Sequence, residues 1–394
     1  MPDPRVTVVT PSFNQGRFIR ATIESVLSQD YPNLEYIVMD GGSTDETASV
    51  VRDYAGRLTW ISERDRGQSH AINKGFRLGR GEILSWLNSD DVFLPGAVAT
   101  AVTALQRSPR AGAVYGEGYL MDVAGKVTGR FPATEPFNLW KLIHLSDYIL
   151  QQTAFFRRSV LDEVGYLDER LHYVMDWDLL IRIAKRHRLE YVPQYMGCLR
   201  EYPEAKSSAG GFRRIRELGA MLRFHTGRRW PLGLITYGLR EVQETCRRKL
   251  ERPRTRWLRP PAVLLNLGIY LPAAYIIMRI LRDAQGLYPD RWAGPRLRWM
   301  LPPGQGAIVV RGNLPSRAAG LAGQRLRALA GGRMLGEATI GFGDFEICFE
   351  APDSPSAPLD LEFHATRWIR PKLGSETSLR RLCYVLRDID WAEA

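Results

Sequence analysis

The sequence predicts an α/β fold whose first half carries a mostly parallel sheet, followed by a helical segment and a small antiparallel β-sandwich. Three observations carry this expectation. Short β-branched runs alternate with helix-like stretches from residue 4 to 117, and a polar cluster stands where each run ends. The break Leu301-Pro302-Pro303-Gly304-Gln305-Gly306 then opens a region of short alternating strands separated by Gly, Pro and Asp turns.

In order, Val6 to Thr10 reads as the first strand. Arg17 to Ser28 is a helix with Phe18, Ile19, Ile23, Val26 and Leu27 on one face. Leu34 to Met39 is the second strand, and Thr44 to Tyr54 the second helix, capped by Ser43 or Thr44. Leu58 to Ser62 is the third strand, Gln68 to Leu78 the third helix, Glu82 to Leu87 the fourth strand and Leu94 to Arg107 the fourth helix. From about 110 to 205 the pattern loosens, ending in Met175-Asp176-Trp177-Asp178-Leu179-Leu180, where Leu179, Leu180 and Ile183 continue as a helix. Residues 211 to 300 read as helical, basic and then apolar. Short strands come next at Ala307 to Arg311, Ala338 to Ile340, Phe345 to Glu350, Leu359 to His364 and Leu382 to Leu386. The domains this implies are 1–210, 211–300 and 301–394.

The 394 residues are 45% hydrophobic and 25% charged, an ordinary globular composition. The net charge of +11 is uneven: between 211 and 260, fourteen Lys and Arg face four acids. An apolar stretch runs on from Val263 to Ile280, so 211–280 suits an anionic membrane surface, the alternative being a solvated helical face. That stretch is the one membrane candidate in the sequence, and Asn266, Pro272 and Arg279 make it marginal for a spanning helix. No nucleic-acid-binding motif accompanies the charge, so nucleic acid is not an expected partner. Cys198, Cys246, Cys348 and Cys383 are too scattered for a zinc knuckle or a disulfide framework and read as reduced thiols. Met1-Pro2-Asp3-Pro4 leads into the first strand without a basic or long apolar leader. The expected location is the cytoplasm, peripheral at the inner face of the cell membrane.

In sheets of this kind ligands sit outside the carboxyl ends of the strands. Four successive strand ends carry Thr10-Pro11-Ser12-Phe13-Asn14, Asp40-Gly41-Gly42-Ser43-Thr44-Asp45, Asp65-Arg66-Gly67-Gln68 and Asn88-Ser89-Asp90-Asp91. One such cluster is a turn; four argue for a shared pocket. Adjacent carboxylates fixed at a strand end suit a hard cation, Mg²⁺ or Mn²⁺, which in turn holds phosphates.

Residues 1 to about 205 resemble a family 2 glycosyltransferase of the GT-A fold. The resemblance rests on the runs above together with Ala-Ile-Asn-Lys-Gly at 71–75, Leu-Asn-Ser-Asp-Asp at 87–91 and Asp-Trp-Asp-Leu at 176–179. It implies a nucleotide-sugar donor, with Asp40 accepting from the base and Thr10, Pro11, Ser12 and Asn14 lining base and ribose. Asn14 capping the first helix is the alternative. Asp65, Gln68, Asn73 and Lys74 would complete the donor site. Asp91 would ligate a divalent cation on the diphosphate, and Asp90 would reach ribose or metal. Asp176 matches the family's catalytic base, which takes a proton from the acceptor hydroxyl as the anomeric carbon inverts. Asp178 is the rival, with helix capping as its plainer role. Gln152 and Trp177 are candidates for the side that takes the acceptor, a glycan or lipid-linked glycan.

Two departures stand out. The family often has Glu before its catalytic Asp, where this chain has Met175. The region 199–207 lacks the histidine that completes many relatives' metal site, leaving Glu201 or Glu204 as substitutes, or Arg200 and Lys206 as diphosphate contacts. A different class of function is a catalytically silent carbohydrate-binding or scaffold protein, against which the joint presence of Asp40, Asp90, Asp91 and Asp176 argues.

Overall fold

The structure is a computed structural model and describes residues 3–206, 210–238, 292–316, 318–351, 357–369, 372–373, 376–377 and 383–392. The chain forms two compact units. One reaches Leu234 apart from a three-residue segment at 138–140, and the other comprises that segment and the chain from Ile235 onward.

In the first unit the elements are β1 (Val6–Ser12), α1 (Gly16–Leu27), β2 (Leu34–Asp40), α2 (Thr47–Arg52), β3 (Thr59–Ser62), α3 (Gln68–Leu78), β4 (Ile83–Trp86), β5 (Val92–Phe93) and α4 (Ala97–Arg107). Then come β6 (Ala111–Met121), β7 (Val127–Arg130), α5 (Leu139–His144), a 3₁₀ turn at Gln151–Thr153, β8 (Phe155–Arg157), α6 (Arg158–Val164), α7 (Met175–Ala184), β9 (Arg188–Arg200) and α8 (Gly211–Thr226). The strands form one sheet in the order β3-β2-β1-β4-β8-β6-β9-β5, with β7 beside β6. β3, β2, β1 and β4 run parallel, β8 is inserted antiparallel between β4 and β6, and β6 and β9 pair in parallel. This is the mixed, mostly parallel GT-A sheet that the sequence predicts.

β1 is buried along its whole length, as a central strand covered on both faces must be, and its Val-Thr-Val-Val run is correspondingly unbroken. α1 buries Ile19, Ile23 and Val26 at helical spacing in the core that also holds Val6 and Val8 of β1, and Phe18 is buried beside Tyr202. α3 lies so close to the sheet that a methyl group on Gly75 would stand 2.5 Å from a Val9 methyl. That approach explains the glycine ending the Ala-Ile-Asn-Lys-Gly run.

α2 begins three residues later than expected. Asp45 serves both helices: its Oδ1 accepts from the Thr47 amide at 3.0 Å at the start of α2, while its Oδ2 accepts from the Gly16 amide at 2.9 Å and Thr47 Oγ1 from the Gln15 amide at 3.0 Å. Asp45 and Thr47 cap α1 across the chain, because Gln15, its own N-cap, has no side-chain capping bond. Asn14 does not cap α1 either; at φ 53° it turns its side chain to accept from the Thr44 amide at 2.9 Å.

The domain boundary expected after residue 210 falls later. α8 belongs to the first unit, burying Leu218, Met221, Leu222 and His225. Residues 239–291, including the apolar stretch 263–280, lie outside the described residues. Among the described residues no helix is long and apolar enough to cross a membrane. Cys198, Cys348 and Cys383 are free thiols, and Cys246 lies outside the described residues.

The second unit contains β10 (Trp292–Ala293), β11 (Arg296–Leu301), β12 (Ile308–Leu314), β13 (Gln324–Ala330), β14 (Arg333–Ile340), β15 (Gly343–Phe349), β16 (Leu359–Ala365), β17 (Lys372–Leu373), β18 (Glu376–Thr377) and β19 (Tyr384–Trp391). Two antiparallel four-stranded sheets, ordered β10-β19-β12-β15 and β11-β16-β13-β14, enclose Leu297, Trp299, Val310, Leu326, Phe363 and Leu386. This is a β-sandwich. Its first strands lie in a stretch expected to be helical, although the alternation Arg296-Leu297-Arg298-Trp299 already has the period of a strand.

Candidate active site

The carboxyl ends of β1, β2 and β4 and the start of α3 carry the expected clusters. At β2, Asp40 is buried and fully engaged with its own loop: Ser43 donates to it from its amide, at 3.2 Å to Oδ2, and from its hydroxyl, and Ser62 at the end of β3 donates as well. Asp65 accepts from the Gly67 amide at 2.7 Å and leans over Gly41, where an added methyl would meet its Oδ2 at 2.8 Å. Phe13 stands beside the same glycine and is 60% exposed, a flat apolar face at the mouth of the site. Ser12, just before it, is buried, and its hydroxyl has no partner among the described residues.

At β4 the two adjacent carboxylates differ. Asp91 is buried, and its oxygens accept from the Arg200 amide at 2.9 Å, from Gln152 Nε2 at 2.6 Å and from Asn88 Nδ2 at 3.0 Å. Burial, reinforced by the neighbouring charge of Asp90, pushes its carboxyl up to about 8. Asp90 is half-buried; its Oδ2 accepts from the Tyr202 hydroxyl at 2.7 Å. Burial raises its carboxyl too, against the Tyr202 bond. Among the described residues no group of three His, Cys, Asp or Glu is placed to hold a metal ion. Adjacent carboxylates are the donor type that a hard cation takes.

Across the site, Asp176 sits in the first turn of α7, and Asp176 Oδ1 accepts from the amide of Trp177 at 2.9 Å. Burial raises its carboxyl, opposed by that amide and by the charges of Lys206 and Arg214. A line of hydrogen bonds joins the two sides: Lys206 Nζ donates to Gln68 Oε1 at 2.5 Å, Gln68 Nε2 to Asn88 Oδ1 at 2.6 Å, and Asn88 to Asp91. Lys206 is pulled down to about 8 by burial, which Asp176 and Glu217 partly offset. Asp147 faces Asp176, and burial together with that charge raises its carboxyl well above the usual range.

Several expected site residues face elsewhere. Thr10 and Pro11 are buried in β1, and the Thr10 hydroxyl is held by Tyr36 at 3.0 Å. Asn73 is buried; its amide donates to the Leu167 carbonyl at 2.9 Å and accepts from the Leu167 amide at 3.0 Å, so it anchors a loop. Lys74 is ion-paired with Glu63. Gln152 is buried and holds Asp91, and Trp177 is a core side chain whose Nε1 donates to the Leu142 carbonyl at 2.8 Å, so neither faces an acceptor. Arg200 is buried and donates to the Asp90 carbonyl and to two further carbonyls at 122 and 123. Asp178, the rival base, is buried between His225 Nε2 at 2.8 Å and Arg182 Nε at 2.8 Å. Burial alone would raise its carboxyl; those two partners outweigh it and hold it below the ordinary value.

The sequence reading overlooked Phe13, Tyr202, Asp147 and Glu217. Phe13 lies within the run Thr10-Pro11-Ser12-Phe13-Asn14. Nothing local marks Asp147 or Glu217, whose roles come from chain segments packed together in space.

The family model described as glycosyl transferase family 2 matches residues 7–165. An uncharacterized glycosyltransferase of Mycobacterium tuberculosis is 34% identical over 185 residues, covering 46% of this chain and 69% of the relative. One of Rickettsia prowazekii is 28% identical, covering 46% of this chain and 59% of the relative, so the chain spans little more than half of that protein. A PGL/p-HBAD biosynthesis glycosyltransferase of Mycobacterium bovis is 27% identical, covering 50% of this chain and 75% of the relative. On this sequence likeness, and with the fold described above, the chain belongs to glycosyl transferase family 2.

Proposed function

We propose that the chain moves a sugar from a nucleoside-diphosphate donor to a hydroxyl of a glycan or lipid-linked glycan, with inversion and with Asp176 as general base. One observation carries the choice of base. Of the two acids at the start of α7, Asp178 is closed off by His225 and Arg182, while Asp176 has only a backbone amide as hydrogen-bond partner among the described residues. In the step, the acceptor hydroxyl gives its proton to Asp176 as its oxygen bonds to the anomeric carbon. The bond from that carbon to the diphosphate breaks, and the nucleoside diphosphate leaves with the electron pair. Phe13 would offer its exposed face to the base, and the unpartnered Ser12 hydroxyl a hydrogen bond to the nucleoside. Asp90 and Asp91 would hold a Mn²⁺ or Mg²⁺ ion that neutralises charge on the leaving diphosphate.

The test is calorimetric titration with UDP, GDP and dTDP, in Mn²⁺ and in chelator. One nucleotide is expected to bind, more tightly with the metal by about tenfold or more. Asp91→Ala should weaken binding in Mn²⁺ only; an equal loss in chelator would exclude Asp91 as a ligand. Binding of none of the three would favour the silent carbohydrate-binding reading.

The acceptor belongs to the cell envelope on this reading, which the name of the M. bovis relative supports. The exposed side of α8 supports a peripheral membrane location. Phe212 and Phe224 are 79% and 80% exposed there, among Arg213, Arg216 and Arg223, with Arg228, Arg229 and Trp230 just beyond the helix. Aromatic rings among arginines match an anionic bilayer surface. Sedimentation with phosphatidylglycerol vesicles is expected to carry the protein down at low salt and release it at high salt. Equal sedimentation with phosphatidylcholine vesicles would remove the electrostatic part of this reading.

A further inference from the structure

The segment preceding α7 is held from both sides. On one side α3 anchors it: Asn73 holds Leu167, and the Ser69 hydroxyl lies 3.0 Å from the Leu171 carbonyl and 2.7 Å from Met175 Sδ. On the other side stands α8. Glu217 Oε1 accepts from three consecutive backbone amides, His172 at 2.9 Å, Tyr173 at 2.6 Å and Val174 at 3.0 Å. Consecutive amides converging on one anionic oxygen form a nest, and bonds to a charged acceptor are about twice as strong as neutral ones. Val174 is the N-cap of α7, and Asp176 stands two residues later. Two turns along α8 from Glu217, His225 grips Asp178. α8 therefore fastens the chain just before and just after Asp176.

From this geometry we propose that Glu217 is the positioning residue for Asp176. Resting on the assignment of Asp176 as the base, this gives the site a support drawn from a helix outside the matched family region, which ends at 165. The carboxylate fixes the three amides, the amides fix the entry angle of α7, and that angle fixes the carboxylate of Asp176 relative to the acceptor hydroxyl. Displacing a reacting group by about 1 Å costs on the order of 10²-fold in rate.

The experiment measures kcat, donor KM and nucleotide affinity for Glu217→Ala, Glu217→Gln, Asp176→Asn and the double variant Asp176→Asn/Glu217→Ala, with hydrogen exchange at residues 172–174. Glu217→Ala is expected to lower kcat by about 10- to 100-fold with donor KM within about threefold. Glu217→Gln keeps an acceptor oxygen and should recover most of that loss. In the Asp176→Asn background the alanine change should cost little more, because the group it positions is gone. Should Glu217→Ala not fold, Glu217→Asp, whose carboxylate is withdrawn by one methylene, decides: faster exchange at 172–174 with a severalfold lower kcat supports the proposal, and full kcat overturns it. An equal loss in both backgrounds, or full kcat in Glu217→Ala, also overturns it while leaving Asp176 in place. Full turnover in Asp176→Asn would instead overturn the base and the positioning role together.

Discussion

Asp176→Asn is expected to lower turnover by about 10²- to 10⁴-fold while leaving nucleotide affinity within a factor of about two. The amide is isosteric and still accepts from the Trp177 amide, so the first turn of α7 keeps its bond. What it cannot do is take a proton. The pH dependence makes the prediction sharper. Burial raises the Asp176 carboxyl, so the base form is reached only above the ordinary aspartate range, and kcat should climb with pH as that proton is lost. In Asp176→Asn this acidic limb should vanish from whatever activity remains. Steady-state kinetics across pH, with nucleotide affinity measured in parallel, checks both statements; an unchanged kcat would exclude Asp176 as the base.

The second large effect is on stability and belongs to Asp178, only two residues away. Its carboxylate lies between the buried His225 ring and Arg182, whose guanidinium also donates to the carbonyls of Val164, Gly165 and Tyr166. Asp178→Ala leaves the Arg182 guanidinium without its counter-charge and the buried His225 ring without its hydrogen-bond partner, and breaking a buried pair from one side costs about 3–5 kcal/mol. For a unit of this size about 3 kcal/mol corresponds to a thermal midpoint lower by roughly 6–12 °C. Because the folded-state carboxyl lies below its ordinary value, this contribution is in force above about pH 4 and fades as the pH falls through the folded-state value. Differential scanning calorimetry at neutral pH tests it, and a midpoint within 2 °C of wild type, well under the roughly 6–12 °C expected, would show the network to be dispensable. One acid is thus expected to govern rate and its neighbour stability.

The βα units of the first 110 residues were legible because each strand announces itself by β-branched residues and each helix by an apolar stripe. The clusters at the strand ends were legible for the same reason: once the strands are placed, their carboxyl ends are placed with them. What the motifs did not reveal was the direction of each side chain. Asn73, Gln152 and Trp177 have the residue types of a site, yet all three are buried and support the loops and carboxylates around it. Glu217 lay in a segment read as a separate basic region. Its task is set by a contact 43 to 45 residues distant in sequence, and no local pattern encodes that. β11 escaped for another reason, since a six-residue alternation was absorbed into a longer basic and apolar stretch.

The capping of α1 by Asp45 and Thr47 has a consequence for how a nucleotide would be met. The loop that carries these two residues also carries Ser43, which holds Asp40 and accepts from the Asn14 amide at 2.8 Å. To swing open, this loop must strip two caps from α1, at about 1 kcal/mol each. The wall beside Asp40 is thereby kept in one shape before anything binds. An incoming base then has little ordering cost to meet on that side, and its association should be a single fast phase rather than a slow closure.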